Sequence, residues 1–212
     1  DRSVSRGLGD VYKRQPYIYQ GEEIGMTNPH YTSIEQYADV ESRNYYEILL
    51  NEGKTKEEAL EILAARSRDN SRTPMQWTDE RYCGFSDTKP WIPVSDNFEK
   101  INVKKQKQDR DSILEFYKKL IMLRKEKEVI ARGNIEFMEV ENAGVLAYTR
   151  CLDKQKLLVC CNFRDVESQM EFTQEWKSGR KILGNYEENH KNNYKVLTLR
   201  PYEIIVLEKG EE

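Results

Sequence analysis

The spacing of apolar residues changes once along the chain, near residue 131. Before that point apolar residues recur at helical intervals between irregular stretches; beyond it they alternate with polar ones. Tyr17-Ile18-Tyr19-Gln20 is aromatic, β-branched and stopped by Gly21, which predicts one buried strand. Gly25, Asn28 and Pro29 then mark a loop as far as Tyr31. Ile34, Tyr37, Val40, Tyr45, Ile48 and Leu49 predict a helix over 34–50, closed by Gly53. Thr55-Lys56-Glu57-Glu58 spells a capping box and opens a second helix, to about Arg66. Pro74 bars helix from the polar run that ends at Trp77. Residues 78–108 form an irregular stretch longer than compact domains carry without a functional reason. A strong amphipathic helix starts at Asp111 or Ser112 and ends near Glu128, with Ile113, Phe116, Tyr117, Leu120, Ile121 and Leu123 as its apolar stripe.

After Gly133 the period is two. It predicts strands over 135–140, 145–151, 156–162, 169–172, 181–183, 195–199 and 203–208, with turn signals at Asn142-Ala143-Gly144, Asp153-Lys154 and Ser178-Gly179. Short strands so spaced predict an antiparallel sandwich. The stretch DRSVSRGLGDVYKRQ, residues 1–15, has no apolar periodicity and no apolar core of a signal peptide. It resembles adapter read-through, and we expect it to be extraneous, with the native N-terminus lost. The expected organisation is therefore 1–15 foreign, 16–130 helical and loop-rich, and 131–212 all-β.

A length of 212 residues fits one large or two small domains. Hydrophobic residues at 38% and charged residues at 33% read as globular rather than disordered. A net charge of -3 provides no broad basic field, so nucleic acid is not an expected partner. No apolar run approaches the ~18 residues of a membrane span, so no membrane partner is expected either. His30 and His190 are the only histidines, which excludes a multi-histidine metal centre. Cys83, Cys151, Cys160 and Cys161 match no zinc spacing and read as reduced thiols of a cytoplasmic protein. No loop carries the acidic cluster that calcium needs. No metal site and no cofactor are expected.

Five ordered motifs carry a resemblance: PYIYQGEEIGMTNP, DVES, RSRDNSRTPMQW, GFSDTKPWIPV and DSILEFYKKLIMLRKE. Together they closely resemble the α-glucosidase branch of the family-13 glycoside hydrolases, over roughly residues 16 to 210. The resemblance implies an α/β fold followed by β: the C-terminal end of a TIM (β/α)8 barrel, then an antiparallel β-sandwich domain. Tyr17 to Gln20 resembles the last barrel strand, Gly21 to Gln108 the long eighth loop, and the 111–128 helix the last barrel helix. A whole barrel takes ~250 residues, more than this chain holds.

The resemblance implies a retaining glycosidase, in which one carboxylate attacks the anomeric carbon and a second acid protonates the leaving oxygen. The family's nucleophile, acid/base and third aspartate lie upstream of PYIYQGEE. No catalytic residue is therefore assigned here, and this piece is not expected to hydrolyse a glycoside by itself. What remains is substrate-binding wall, with a small carbohydrate as the partner. Arg68 matches the family arginine that grips hydroxyls of the non-reducing-end glucose, and a guanidinium suits that task with five fixed donors and a permanent charge. It needs a carboxylate partner, which the resemblance places upstream. Glu41 matches a family glutamate near the leaving-group sugar; the alternative is a helical surface acid. Arg72 is a third candidate substrate contact, or it holds the loop against the barrel rim. Asp69 and Asn70 suit a turn or cap.

Glu22 and Glu23 are adjacent, point apart, and read as structural. Trp77 and Trp91 are suited to stacking on a sugar, although packing inside the loop is the commoner fate. Ala38 stands where the family usually has arginine, and Cys83 where alanine is usual. Among substrates, the wording TNPHYTSIEQYADVES and SRDNSRTPMQW lies nearer to trehalose-6-phosphate hydrolases than to oligo-1,6-glucosidases. Two readings of other classes are a non-catalytic barrel subunit of a membrane transporter and a free sugar-binding β module over 131–212.

Overall fold

The structure is a computed structural model that describes residues 16–141, 144–171, 174–176, 178–186 and 196–209. The chain forms two compact units, Ile18–Tyr117 and one built from Lys118 onward.

In the first unit, Gly21 and Gly25 bracket a 3-10 turn at Glu22–Ile24, with φ of 90° and 71°. At Gly25 a Cβ would lie 2.6 Å from Ile113 Cδ1, so close approach as well as conformation requires glycine there. A second 3-10 turn spans Ile34–Gln36, capped by Ser33. Helices α1 (Val40–Asn51) and α2 (Lys56–Arg66) follow. They pack through Tyr46, Leu49, Ala59 and Leu63, together with Tyr31 and Tyr37, whose rings meet edge to face at 5.0 Å. A 3-10 turn at Arg68–Ser71 leads into the extended Thr-Pro-Met-Gln-Trp run. A separate core of Ile24, Met75 and Val103 anchors that run and the short helix α3 (Val103–Gln106). Helix α4 (Ile113–Glu126) starts in this unit.

Two elements differ from the sequence expectation. Tyr17 to Gln20 is not a strand, and Tyr17 is 87% exposed. A lone strand has no ladder partner to satisfy its backbone, and none of the described strands lies beside it. The expected 34–50 helix is broken at Tyr37–Asp39. The backbone amides of Ala38 and Asp39 donate to the Asp69 carboxylate at 2.7 and 2.9 Å instead of to a helical carbonyl. Thr55 and Glu58 form the predicted reciprocal capping box of α2. Glu22 and Glu23 take different partners, as expected of adjacent residues: Tyr117 Oη donates to Glu22 at 2.7 Å and the Gly21 amide to Glu23 at 2.8 Å.

The second unit contains α5 (Glu128–Arg132) and strands β1 (Asn134–Phe137), β2 (Val145–Leu152), β3 (Gln155–Asn162), β4 (Ser168–Glu171), β5 (Arg180–Gly184), β6 (Val196–Leu199) and β7 (Ile204–Glu208). One antiparallel sheet has the order β1-β2-β3-β7-β5 and a second pairs β4 with β6. Val145, Ala147, Leu158, Cys160, Ile205 and Leu207 of the first sheet pack in one core with Met170, Leu197 and Leu199 of the second, and Trp176 belongs to the same core. That is the expected sandwich, and the alternation of buried and exposed positions along β4 and over Val145–Ala147 of β2 shows the period of two at work. Arg150, on β2, is buried yet satisfied: its guanidinium donates to Ile130 O at 2.6 Å and to Val129 O at 3.4 Å, both carbonyls of α5.

Candidate functional site

The first unit contains a cavity of about 280 Å³ lined by Asp39, Glu41, Ser42, Tyr45, Leu63, Arg66, Ser67 and Arg68. Two sequence segments converge there. The start of α1 brings Asp39 to Ser42, and the end of α2 with the turn after it brings Arg66 to Arg68.

Asp39 is the N-cap of α1, accepting from the Ser42 amide at 3.0 Å and the Ser42 hydroxyl at 2.8 Å. Glu41 therefore sits in the first helical turn, where the dipole favours a negative charge. Arg68 opens the 3-10 turn that Ser67 caps through the Asp69 amide, at 3.1 Å. Arg68 Nη2 reaches Glu41 Oε2 at 2.5 Å, with the two side chains 70% and 67% exposed. The family resemblance implies a carboxylate partner for Arg68 upstream; within the described residues, the carboxylate facing it is Glu41.

Beneath this exposed pair lies a buried polar network. The Asp69 carboxylate is fully buried and takes three donors: the amides of Ala38 and Asp39, and Arg72 Nη2 at 2.7 Å. Arg72 also reaches Asp39 Oδ1 at 3.3 Å. The hydroxyls of Ser42 and Ser67 meet at 2.9 Å. Burial raises the Asp39 pKa, but the hydrogen bonds from Ser42 and the charges of Arg72 and Arg68 outweigh it and hold this carboxyl below its ordinary value. Burial pushes the Tyr31 and Tyr37 hydroxyls up, and the Asp69 charge adds to the shift in both.

The three sequence candidates thus divide. Arg68 and Glu41 both line the cavity and pair with each other at its edge. Arg72 does not line it; it binds two carboxylates behind it, the geometry of a loop tether. Asp69 has the structural place expected of it. Asp39, Ser42, Ser67 and Arg66 were not singled out in the sequence; an aspartate ahead of a helical run is the local signal that could have found Asp39, and none marks the other three. Trp91 and Trp77 are 76% and 48% exposed, not packed within the loop. Cys83 carries a left-handed backbone at φ 51° and its thiol donates to Met75 O at 3.3 Å.

Chemically the cavity offers fixed donors from Arg68 beside acceptors from Glu41, a pairing suited to vicinal hydroxyls. Among the described residues, no group of three or more His, Cys, Asp or Glu is placed to hold a metal ion. No helix among them is long and apolar enough to cross a membrane.

Comparison with known proteins agrees in both parts of the chain. Residues 10–133 match the alpha amylase catalytic domain family, starting inside the stretch set apart at the N-terminus, and residues 135–206 match the maltogenic amylase C-terminal domain. An oligo-1,6-glucosidase of Bacillus cereus is 40% identical over 199 residues, which is 92% of this chain and 36% of that protein. A trehalose-6-phosphate hydrolase of Escherichia coli (strain K12) is 42% identical over 197 residues, 90% of this chain and 34% of that protein. The crystal structure of Bacillus licheniformis trehalose-6-phosphate hydrolase superposes with a TM-score of 0.87 at 40% identity, covering 96% of this chain and 38% of that one. The chain therefore spans about a third of the length of the curated relatives it matches. With a catalytic-domain match over more than half its residues and a C-terminal-domain match directly after it, the chain belongs to the alpha-amylase family of glycoside hydrolases.

Proposed function

We propose that the parent of this chain is a retaining α-glucosidase that releases terminal α-linked glucose, and that this chain supplies part of the wall binding the sugar. The observation that carries the reading is the Arg68–Glu41 pair, at 2.5 Å on the edge of a cavity. Arg68 donates to hydroxyls of the terminal glucose, and Glu41 accepts from hydroxyls on the leaving-group side. Arg72 acts behind them by binding Asp39 and Asp69. The bond-breaking carboxylates belong to the parent's remaining sequence, and this segment alone turns over no glycoside.

Trehalose-6-phosphate is the preferred substrate on the wording of the two loop motifs. The cavity brings Arg66 and Arg68 together with Asp39 and Glu41, so its charges balance. Cations for a phosphate must come from elsewhere in the parent. A second reading, an oligo-1,6-glucosidase, is favoured by relatives of that name at 39–41% identity. Hydrolysis of trehalose-6-phosphate and of isomaltose by the purified full-length parent separates the two: faster turnover of isomaltose reverses the order, and turnover of neither defeats the glucosidase reading.

A further inference from the structure

The exposed pair does not fix its own spacing. Ion pairs this open are weak, and their gain is comparable to the rotamer freedom that a glutamate and an arginine lose in forming them. Something else must set where the two side chains start.

The bonds beneath the pair close into a ring. The Asp39 amide donates to the Asp69 carboxylate. The Asp69 amide donates to the Ser67 hydroxyl. The Ser42 hydroxyl donates to the Asp39 carboxylate. Its single hydrogen is then used, so the Ser42–Ser67 contact requires Ser67 as donor. All donors therefore run in one sense around the ring, and at the Ser67 and Ser42 hydroxyls, which both accept and donate, one bond polarises the next. Ser42, Ser67 and Asp69 are buried. Arg68 lies in sequence between Ser67 and Asp69, and Glu41 lies between Asp39 and Ser42, so both members of the pair are held by ring residues on either side.

We propose that Asp69 is a positioning residue: by binding the amides of Ala38 and Asp39 it sets where Glu41 stands relative to Arg68, and thereby how tightly the site holds sugar hydroxyls. This rests on the sugar-binding reading above. Asp69 touches no substrate. Its backbone carries one side of the site and its carboxylate fixes the other.

Two measurements test it. In the full-length parent, Asp69→Asn leaves an amide nitrogen facing either the backbone amides or Arg72, a donor against a donor. The expected result is a KM for p-nitrophenyl α-D-glucoside raised about tenfold with kcat changed by less than about threefold, the signature of lost uniform binding. A variant merely less stable loses active enzyme and so apparent kcat, without a change in KM. An unchanged KM in the folded variant overturns the proposal; if Asp69→Asn does not fold, Ser67→Ala, which removes two links of the ring, is read the same way. Spacing is measured without activity by placing Glu41→Cys and Arg68→Cys together and following the fluorescence of dibromobimane bridging the two thiols. Adding Asp69→Asn or Ser67→Ala should slow bridging by at least about fivefold, and an unchanged rate overturns the proposal. A parent inactive on the glucoside defeats the glucosidase reading alone, because bridging still reports the positioning.

Discussion

Ser42 and Ser67 share a buried hydroxyl–hydroxyl hydrogen bond of 2.9 Å, across 25 positions of sequence. It couples the first turn of α1 to the turn that follows α2, directly beneath Glu41 and Arg68. The contrast between this buried layer and the open ion pair above it gives the first prediction. A double-mutant cycle of Glu41→Gln and Arg68→Met should give a coupling below about 1 kcal/mol in urea unfolding, because both side chains are mostly in water. Asp69→Ala, which strands two amides and takes from Arg72 the nearer of its two carboxylates, should cost about 2–4 kcal/mol in the same measurement. A larger loss from the exposed pair than from Asp69 would refute this ordering.

Asp39 adds a pH dependence. Its carboxyl is held below its unfolded value, so the stability it contributes is present above the ordinary aspartate pKa of about 3.9 and is lost as pH falls through the lower folded value. Asp39→Ala should cost about 1–2 kcal/mol at pH 7 through the lost helix cap and the lost Arg72 contact. Its urea midpoint should approach that of the unsubstituted chain as pH drops below about 4. A gap that widens toward acid contradicts the assignment.

The thiols of Cys83, Cys160 and Cys161 should be inert while the chain is folded. Burial pushes Cys161 up to about 11 and raises Cys160 further; Cys83 is raised by the same cause. At pH 8 the thiolate fraction of Cys161 is then roughly a hundredth of that of a free cysteine. Alkylation by iodoacetamide, followed by mass spectrometry of peptides, should be slow at all three positions and accelerate together in denaturant. Rapid labelling of Cys160 in the folded chain would contradict its burial.

In the sandwich, Leu158 is fully buried between the two sheets. Leu158→Ala should cost about 2–5 kcal/mol, the loss of transfer energy plus the cavity left behind. Leu146→Ala, on the open face of β2, should cost under about 1 kcal/mol. The two midpoints in guanidinium chloride check the difference, and equal losses would place the core elsewhere.

What the sequence revealed follows the range of the forces involved. The described strands of the sandwich were legible because alternation and turn residues act between neighbours, and the Thr55 cap because its partner lies three residues away. The 34–50 helix was misread because its break comes from Asp69, thirty-one positions beyond Ala38 and invisible to local periodicity. Ser42 and Ser67 look like ordinary polar residues until the fold brings them together. Arg68 and Glu41 are candidates through the motifs alone, and their mutual contact could not be read there, since nothing in either motif specifies the other's distance. The pairing of β4 with β6 in a sheet of its own was likewise unreadable, because it joins strands separated by β5.

Every bond of the buried ring joins residues lying between Ala38 and Arg72. The ring thus travels as a cassette: one short stretch of sequence encodes both arms, the one with Glu41 and the one with Arg68, together with the bonds that join them. Substitutions elsewhere in the chain can accumulate without breaking it.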